Sequence, residues 1–509
     1  MTTIRRTSPL FALTAVAAVL LSGCMLGPDY TKPEAPTTQR IAGKPLPAAT
    51  VAAPIKGGES QRFVEGGVLP AQWWKTFGSP VLDGWVDEAL AKSPSLASAE
   101  ATLRQQQALY IAAGGTLYPS VTANGGATRQ KTSGSAFGGG SVPGNIFNLY
   151  SASVDVNYGL DIWGGTARSI EGQLALVEAT KYQTSAAYLT LVGNVVTSAV
   201  SVASAQARLK TAREIAEAYV DTVRLAQKQF DLGASARSDV IAAQTLLAQS
   251  QANIPPLEQE LTAASNRLAV LLGRYPSEFD NGGFNLTALT LPQEIPVALP
   301  STLVERRPDI AAASAQLAVA SANVGVAVAN RLPQLTLSAS VGTQAAKPKN
   351  LFDEDIWSIG ANLAAPIFDG GTLKARKDAA VAAYDGAQAD YRNTVLNAFN
   401  EVADALSALD NDARRLAAQQ SAFDLATESL RLTEATYRTG SATIFDVRDA
   451  RLTAAAAQQN LVLALATRYQ DTAALFQALG GDGWNRNTPP PEATASNTPA
   501  PTLAATATP

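Results

Sequence analysis

Two stretches of this chain, 166–231 and 372–438, contain no proline, and both carry apolar residues at intervals of seven. The first row is Tyr188, Val195, Val202, Leu209, Ala216, Val223 and Phe230; the second is Val395, Val402, Leu409, Leu416, Phe423, Leu430 and Tyr437. A period of seven is the mark of helices wound against neighbouring helices. Phe399, Leu406 and Ala413 add a partner row to the first half of the second stretch. At ~1.5 Å of rise per residue each stretch predicts a rod of about 100 Å, several times the diameter of a small domain. The chain is therefore expected to build long antiparallel helices, and the periodicity alone fits a plain helical scaffold.

The second row is the first displaced by 207 residues, and Gly233, Asp239 and Leu272-Gly273 recur as Gly440, Asp446 and Leu479-Gly480 at that displacement. Pro94 and Pro119 recur as Pro308 and Pro333, displaced by 214. Two copies of one unit account for both offsets, the first copy being longer by about seven residues between Ser120 and Gly164. Each rod ends in a glycine turn, Phe230-Asp231-Leu232-Gly233-Ala234 and Tyr437-Arg438-Thr439-Gly440-Ser441. Glycine there suits the left-handed residue that closes a helix, and Ser441 or Asp446 suits the start of the next one. Pro255-Pro256 predict a break and a fresh start in the first return helix.

Between these helical parts lie strictly alternating runs. In the first copy Tyr150, Ala152, Val154, Val156, Tyr158 and Leu160 oppose Ser151, Ser153, Asp155, Asn157 and Gly159, and a weaker alternation runs from Leu117 to Thr128. The second copy has Leu335, Leu337, Ala339 and Val341 against Thr336, Ser338, Ser340 and Gly342, then Trp357, Ile359, Ala361 and Leu363 against Ser358, Gly360 and Asn362. Four strands in two hairpins are expected. A soluble sheet covering a core on one face gives the same pattern, but these runs have the length of tilted membrane strands and a small, polar second face. Four strands cannot close a barrel, so several chains would have to combine, and three would supply twelve strands.

The beginning of the chain reads as a lipoprotein signal: Arg5 and Arg6, an apolar stretch from Leu10 to Leu21, then Leu21-Ser22-Gly23-Cys24. Cys24 is the only cysteine, which excludes an internal disulfide and marks it as the expected lipidation site. The stretch from Cys24 to about Pro70 and the tail from Thr488 are rich in Pro, Ala, Gly and Thr and are expected to gain too little apolar burial to order themselves. No other run reads as a membrane helix. Histidine is absent and the net charge is -4. This removes the commonest general base and metal ligand and gives no pull towards nucleic acid. Neither a phosphate-binding G-x-x-x-x-G-K-[ST] nor H-E-x-x-H occurs. No catalytic residue, cofactor or metal is expected.

Several motifs, in this order on this repeat, resemble one family. They are Cys24 with Gly27-Pro28-Asp29-Tyr30, Trp73-Trp74, Leu160-Asp161-Ile162-Trp163-Gly164 and Ile254-Pro255-Pro256-Leu257-Glu258. Arg306-Arg307-Pro308-Asp309-Ile310, Pro366-Ile367-Phe368-Asp369-Gly370-Gly371 and Ala478-Leu479-Gly480-Gly481 with Trp484 complete the set. Over roughly residues 24–485 the chain resembles the TolC-like outer membrane factors of tripartite efflux pumps, in their lipidated NodT/OprM-type branch. The resemblance implies an α+β membrane protein of two tandem repeats, each a β-hairpin with long coiled-coil helices. It also implies a homotrimer, with a twelve-stranded β-barrel in the outer membrane continued by a periplasmic α-helical barrel. Domain bounds follow: signal 1–23, lipid-anchored linker 24–80, first repeat 81–273 with its hairpin at about 117–160 and helices 166–272. An equatorial segment 274–300, a second repeat 301–484 with its hairpin at about 333–365 and helices 372–479, and a tail 485–509 complete the chain. Partners would be a periplasmic adapter and an inner-membrane pump, of RND type, besides outer-membrane lipid. Drug, toxicant or metal efflux is the implied role, with type I protein secretion as the alternative conduit and a structural envelope lipoprotein as the alternative of another class.

The same resemblance assigns a periplasmic gate. Asp446 and Asp449 match the family's aspartate rings, Tyr437 matches a tyrosine that ties the closed tip, and Asp239 matches that tyrosine's partner. Gly233, Ala234, Gly440 and Ser441 would face the adapter. Ala442 stands where some members place an arginine, and Arg448 sets a positive charge between the two aspartates. Stabilisation of a helix start is the competing reading of Asp446, Asp449 and Asp239.

Overall fold

The computed structural model describes residues 25–34, 38, 40, 41, 43, 45–131, 146–297 and 300–480. Cys24, the signal segment, Gly481, Trp484 and the tail lie outside the described residues. Among the described residues the order is β1 (Arg62–Glu65), α1 (Pro80–Lys92), α2 (Pro94–Gly114), β2 (Ser120–Lys131), β3 (Ile146–Leu160), α3 (Gly165–Asp231), α4 (Arg237–Ala252) and α5 (Ile254–Leu271). There follow β4 (Glu294–Val297), α6 (Pro300–Arg306), α7 (Pro308–Ala329), β5 (Gln334–Ala345), β6 (Asp355–Ala364), α8 (Thr372–Arg438) and α9 (Ile444–Ala478). The two proline-free stretches form unbroken helices, α3 and α8, and the prolines at 255 and 256 sit in the first turn of α5. The chain divides into two compact units, Met1–Thr37 with Ser95–Ala186 and Pro308–Asn400, and Thr38–Pro94 with Ala187–Arg307 and Glu401–Pro509.

The first unit contains a four-stranded antiparallel sheet in the order β2-β3-β5-β6. Its register joins the two repeats: Val121, Val156, Ala339 and Ile359 stand in one row, and Thr122, Asp155, Ser340 and Ser358 in the next. Alternation therefore sorts an apolar face from a polar one over the half of the sheet around these rows, as period-two patterning requires. On the polar face the Asp155 carboxylate accepts from Asn124 Nδ2 at 2.6 Å, Ser153 Oγ at 3.0 Å and Ser340 Oγ at 2.5 Å, tying three strands together. Every residue of β2 and of β6, the two edge strands, is exposed.

Below the strands, α7 lies close against the first turns of α3 because the contact is built from small residues. A Cβ added at Gly172 would stand 3.3 Å from Ala322 Cβ, and one at Gly165 would stand 2.9 Å from Ala329 Cβ. Contrary to expectation, two helices, α3 and α7, are long and apolar enough to cross a bilayer by length and composition. Of their apolar windows 56% and 44% is buried within the chain, so this hydropathy reflects Ala- and Val-rich packing between helices.

In the second unit the heptad rows are the seam. Val195, Val202 and Leu209 of α3 and Val402, Leu409 and Leu416 of α8 are all buried. Nearer the turns the seam narrows to alanine: Ala226 and Ala243 pack with Val240, and Ala426 with Ala454 and Ala457. At the other end, Trp73, Trp74 and Phe77 enclose Phe476 and Tyr469 of α9, with Trp73 and Phe476 centroids 5.7 Å apart. Arg307 of the Arg-Arg-Pro-Asp motif donates to the Ala478 carbonyl at 2.8 Å, a cation on the negative end of α9, and pairs with Glu401 at 2.7 Å.

The expectation that the segment before Pro70 cannot order itself is corrected. β1 pairs in parallel with β4, and Thr50, Ala53, Gln61 and Leu69 are buried. Besides this pairing and apolar burial, the segment engages a buried cation. Arg468 of α9, fully enclosed, donates to the Glu59 carbonyl at 2.7 Å and to Thr50 Oγ1 at 3.1 Å, with Gln61 Oε1 at 3.4 Å. A buried guanidinium calls for acceptors; residues 50–61 meet its Nη2 and Nε, while Nη1 has no partner among the described residues.

Candidate functional site at the helical turns

The residues assigned from sequence to a gate and to adapter-facing tips all lie in the second unit, at the turns α3–α4 and α8–α9. Both helices end alike. Gly233 has φ +72° and Gly440 φ +79°, and the next residue's amide reaches back over the last turn: Ala234 N–H to Gln229 O at 2.8 Å, Ser441 N–H to Thr436 O at 2.9 Å. Only glycine takes that backbone without strain. Gly233, Ala234, Gly440 and Ser441 are exposed, and nothing lies within 4 Å of where a Cβ on either glycine would be.

The two helix starts differ. Thr443, not Ser441, caps α9, and Asp446 closes the reciprocal box: Thr443 N–H and Oγ1 each donate to Asp446 Oδ2 at 2.7 Å, and Asp446 N–H donates to Thr443 Oγ1 at 3.2 Å. In the first copy Ala236 holds the cap position with no hydroxyl, so Asp239 has the Ala236 N–H at 3.3 Å but no reciprocal bond. One changed side chain thus gives the repeats unequal tips.

The charges follow from these bonds. Hydrogen bonds from the Thr443 hydroxyl and amide hold Asp446 below the usual carboxylate range, and the Arg448 guanidinium, its Nε 2.6 Å from Asp449 Oδ1, does the same for Asp449. Both carboxylates are exposed and ionised at neutral pH. They stand three residues apart on one helix, hence on one face. Arg448 also lies 5.3 Å from the centre of the Phe445 ring. Within the chain, the partner of Tyr437 is Gln229, whose Oε1 accepts from the phenol at 3.0 Å; Asp239 is held by its own helix start.

One residue that ties this end together was not singled out from sequence. Arg451 of α9 donates through Nη2 to Glu434 Oε1 of α8 at 2.7 Å, and through Nη1 to Ala218 O and Thr222 Oγ1 of α3, each at 2.7 Å. A usable signal was present: Glu434 lies four residues before the end of α8 and Arg451 seven after the start of α9, opposite charges flanking one turn of an antiparallel helix pair. Replacing Arg451 with methionine is expected to leave Glu434 and two α3 acceptors without this donor, at about 1–3 kcal/mol. Hydrogen exchange in the first two turns of α9 should quicken, whereas unchanged exchange there would assign the tie to the alanine seam.

Residues 85–274 and 299–481 each match the sequence profile of a family described as outer membrane efflux protein. The chain is 34% identical over 416 residues to the pyoverdine export outer membrane protein OpmQ of Pseudomonas aeruginosa, covering 81% of this chain and 87% of that protein. It is 29% identical over 500 residues to nodulation protein T of Rhizobium leguminosarum bv. trifolii, covering 94% and 98%. Among solved structures, the outer-membrane channel OprN superposes with a TM-score of 0.78 at 29% identity, over 90% of this chain and 99% of that one.

Proposed function

Because the chain belongs to the outer membrane efflux protein family, we propose that it works as a passive, gated conduit, exporting small molecules handed to it by an inner-membrane pump through a periplasmic adapter. It is the outer-membrane channel of an efflux system. The single observation that carries the conduit is the sheet: four strands with one apolar and one polar face and two unpaired, fully exposed edges, β2 and β6. An open edge cannot persist in lipid, because each unpaired amide and carbonyl there costs several kcal/mol. Pairing β6 of one copy with β2 of the next removes both edges, and three copies close twelve strands with the polar face inward. Each repeat then contributes one hairpin and its long helices to the tube. The Cys24 lipid is proposed to anchor the assembly at the outer membrane.

Asp446 and Asp449 are proposed to line the mouth of that tube. Threefold repetition would set exposed, ionised carboxylates around an opening, which favours cations and slows anions while the opening is narrow. Asp446 has two roles there, helix cap and ring charge, and a substitution has to separate them. Asp446→Asn keeps an acceptor for Thr443 while removing the charge. In planar bilayers the purified trimer is expected to conduct, with block by divalent cations weakened in Asp446→Asn and circular dichroism unchanged. A pure trimer without conductance rejects the conduit; block identical to the parent rejects the ring. A structural envelope lipoprotein would need the helices but not the two-faced, open-edged sheet.

A further inference from the structure

Among the described residues of the first unit Arg168 is the most enclosed charge, its side chain 2% exposed, and it sits in the first turn of α3. A cation buried at the positive end of a helix is doubly unfavourable unless acceptors surround it. They come from its own helix and from the segment just after Cys24. Glu171 Oε2 lies 2.8 Å from Nη1, Asp29 Oδ1 2.5 Å from Nη2, and the Leu26 and Gly27 carbonyls accept at 3.3 and 3.5 Å.

The segment is seated along its length. Gly27 has φ +99°, and a Cβ there would stand 2.5 Å from Gly325 Cα; one on Gly325 would meet Arg168 Cγ at 2.8 Å and Leu26 O at 2.9 Å. Two backbones are thus in direct contact, with room for a side chain on neither. Ser321 Oγ donates to the Pro28 carbonyl at 3.2 Å, and the Tyr30 hydroxyl lies 2.6 Å from Ser314 Oγ, one heptad earlier on α7. At the other end Leu26 N–H points to Trp163 O at 3.4 Å, and the Trp163 indole donates to Pro333 O at 2.7 Å, immediately before β5.

We propose that Leu26–Tyr30 is a strap whose receptor is Arg168 together with the Gly325 face of α7, and that Arg168 is the residue that positions the membrane anchor. Trp163 follows β3 and Pro333 precedes β5, so the strap docks at the root of the strand pair that joins the two repeats. Cys24 is two residues before Leu26. Lipid on it hangs from a two-residue lead, at a depth set by the strands, rather than from a free linker. The docking itself does not rest on the conduit reading.

The test is a nitroxide on Thr31→Cys, an exposed position just past the strap, in the purified full-length protein. With Cys24 acylated this is the one free thiol, so incorporation of two labels would overturn the anchor-positioning half of the proposal, and the strap half is then decided by the spectra. The parent is expected to give a slow-motion spectrum. Gly27→Val and Arg168→Met are expected to lose the slow component with helical content retained. Should Arg168→Met fail to fold, Gly27→Val decides, since its change lies on the strap and not in the scaffold. A fast spectrum in the parent, or a slow one in Gly27→Val, overturns the proposal.

Discussion

Replacing Asp412 with asparagine is expected to flatten the dependence of stability on pH, improving the variant relative to the parent by about 4 kcal/mol between pH 4 and pH 8. Asp412 lies on α8 and is buried. Burial, and then the adjoining Asp471 carboxyl, push it up to about 7, against the lowering pull of Arg415, 3.3 Å away, and Arg468. In the unfolded chain it titrates at its ordinary 3.8. Between these values the folded protein keeps a proton that the unfolded chain has released, so stability is lost as pH rises through that window and is fully present below it. Asparagine cannot ionise, and its amide can donate to Asp471 at any pH. Apparent melting temperatures of the two proteins, followed by far-ultraviolet circular dichroism from pH 4 to 8, should diverge as pH rises. Parallel profiles would show that the pair is relaxed by water or by movement of Asp471.

Trp73→Ala is expected to cost about 3–5 kcal/mol, the usual range for deleting a buried large aromatic. Trp73 is wholly enclosed, edge-on to Trp74 at 6.2 Å, Phe77 at 6.3 Å and Phe476 at 5.7 Å, so no neighbour is free to fill the space. Its indole Nε1 has no hydrogen-bond partner among the described residues. Trp73→Phe is therefore expected to be mild, under about 1.5 kcal/mol, because it keeps most of the volume and removes a polar hydrogen that satisfies nothing. The contrast between the two variants is the measurement. If both melt alike, the cluster is held by the chain around it rather than by packing.

Much of this architecture could be read directly. Proline-free heptads predict α3 and α8 because knobs repeating every seven residues have one economical packing, side by side with other helices. Gly233 and Gly440 mark the turns because left-handed backbone is costly for any residue with a Cβ. Strand alternation gave the two faces, and the register then put Asp155 between Asn124 and Ser340 in neighbouring strands. Asp446 was legible in both its readings, and the structure realises the local one within a chain, as the third residue of a capping box.

The misreadings have a common cause. Residues 45–69 are rich in Pro, Ala and Gly and carry few large side chains to bury; the acceptors at Thr50 and Glu59 are engaged by Arg468, some four hundred residues away in sequence. The strap at Leu26–Tyr30 depends in the same way on Arg168. Within one chain the Tyr437 phenol donates to Gln229 and Asp239 accepts from the Ala236 N–H, so the match of Tyr437 to Asp239 stays a proposal about the assembled tip. Hydropathy suggested no further membrane helix, although α3 and α7 pass that test, because alanine and valine serve close helix packing and a lipid environment equally well.

By itself the sequence determined the length of the rods, the tandem repeat, the places where the chain turns and which strand residues share a face. Each of these follows from backbone preference or from a period of two or seven residues, effects that act over a few positions. Only the tertiary structure decided which acceptors surround Arg168, Arg451 and Arg468, which edges of the sheet stay open, and which of the two helix starts is the firmer. A buried charge is stabilised by whatever oxygen is within about 3 Å, and that neighbour is set by where distant segments meet.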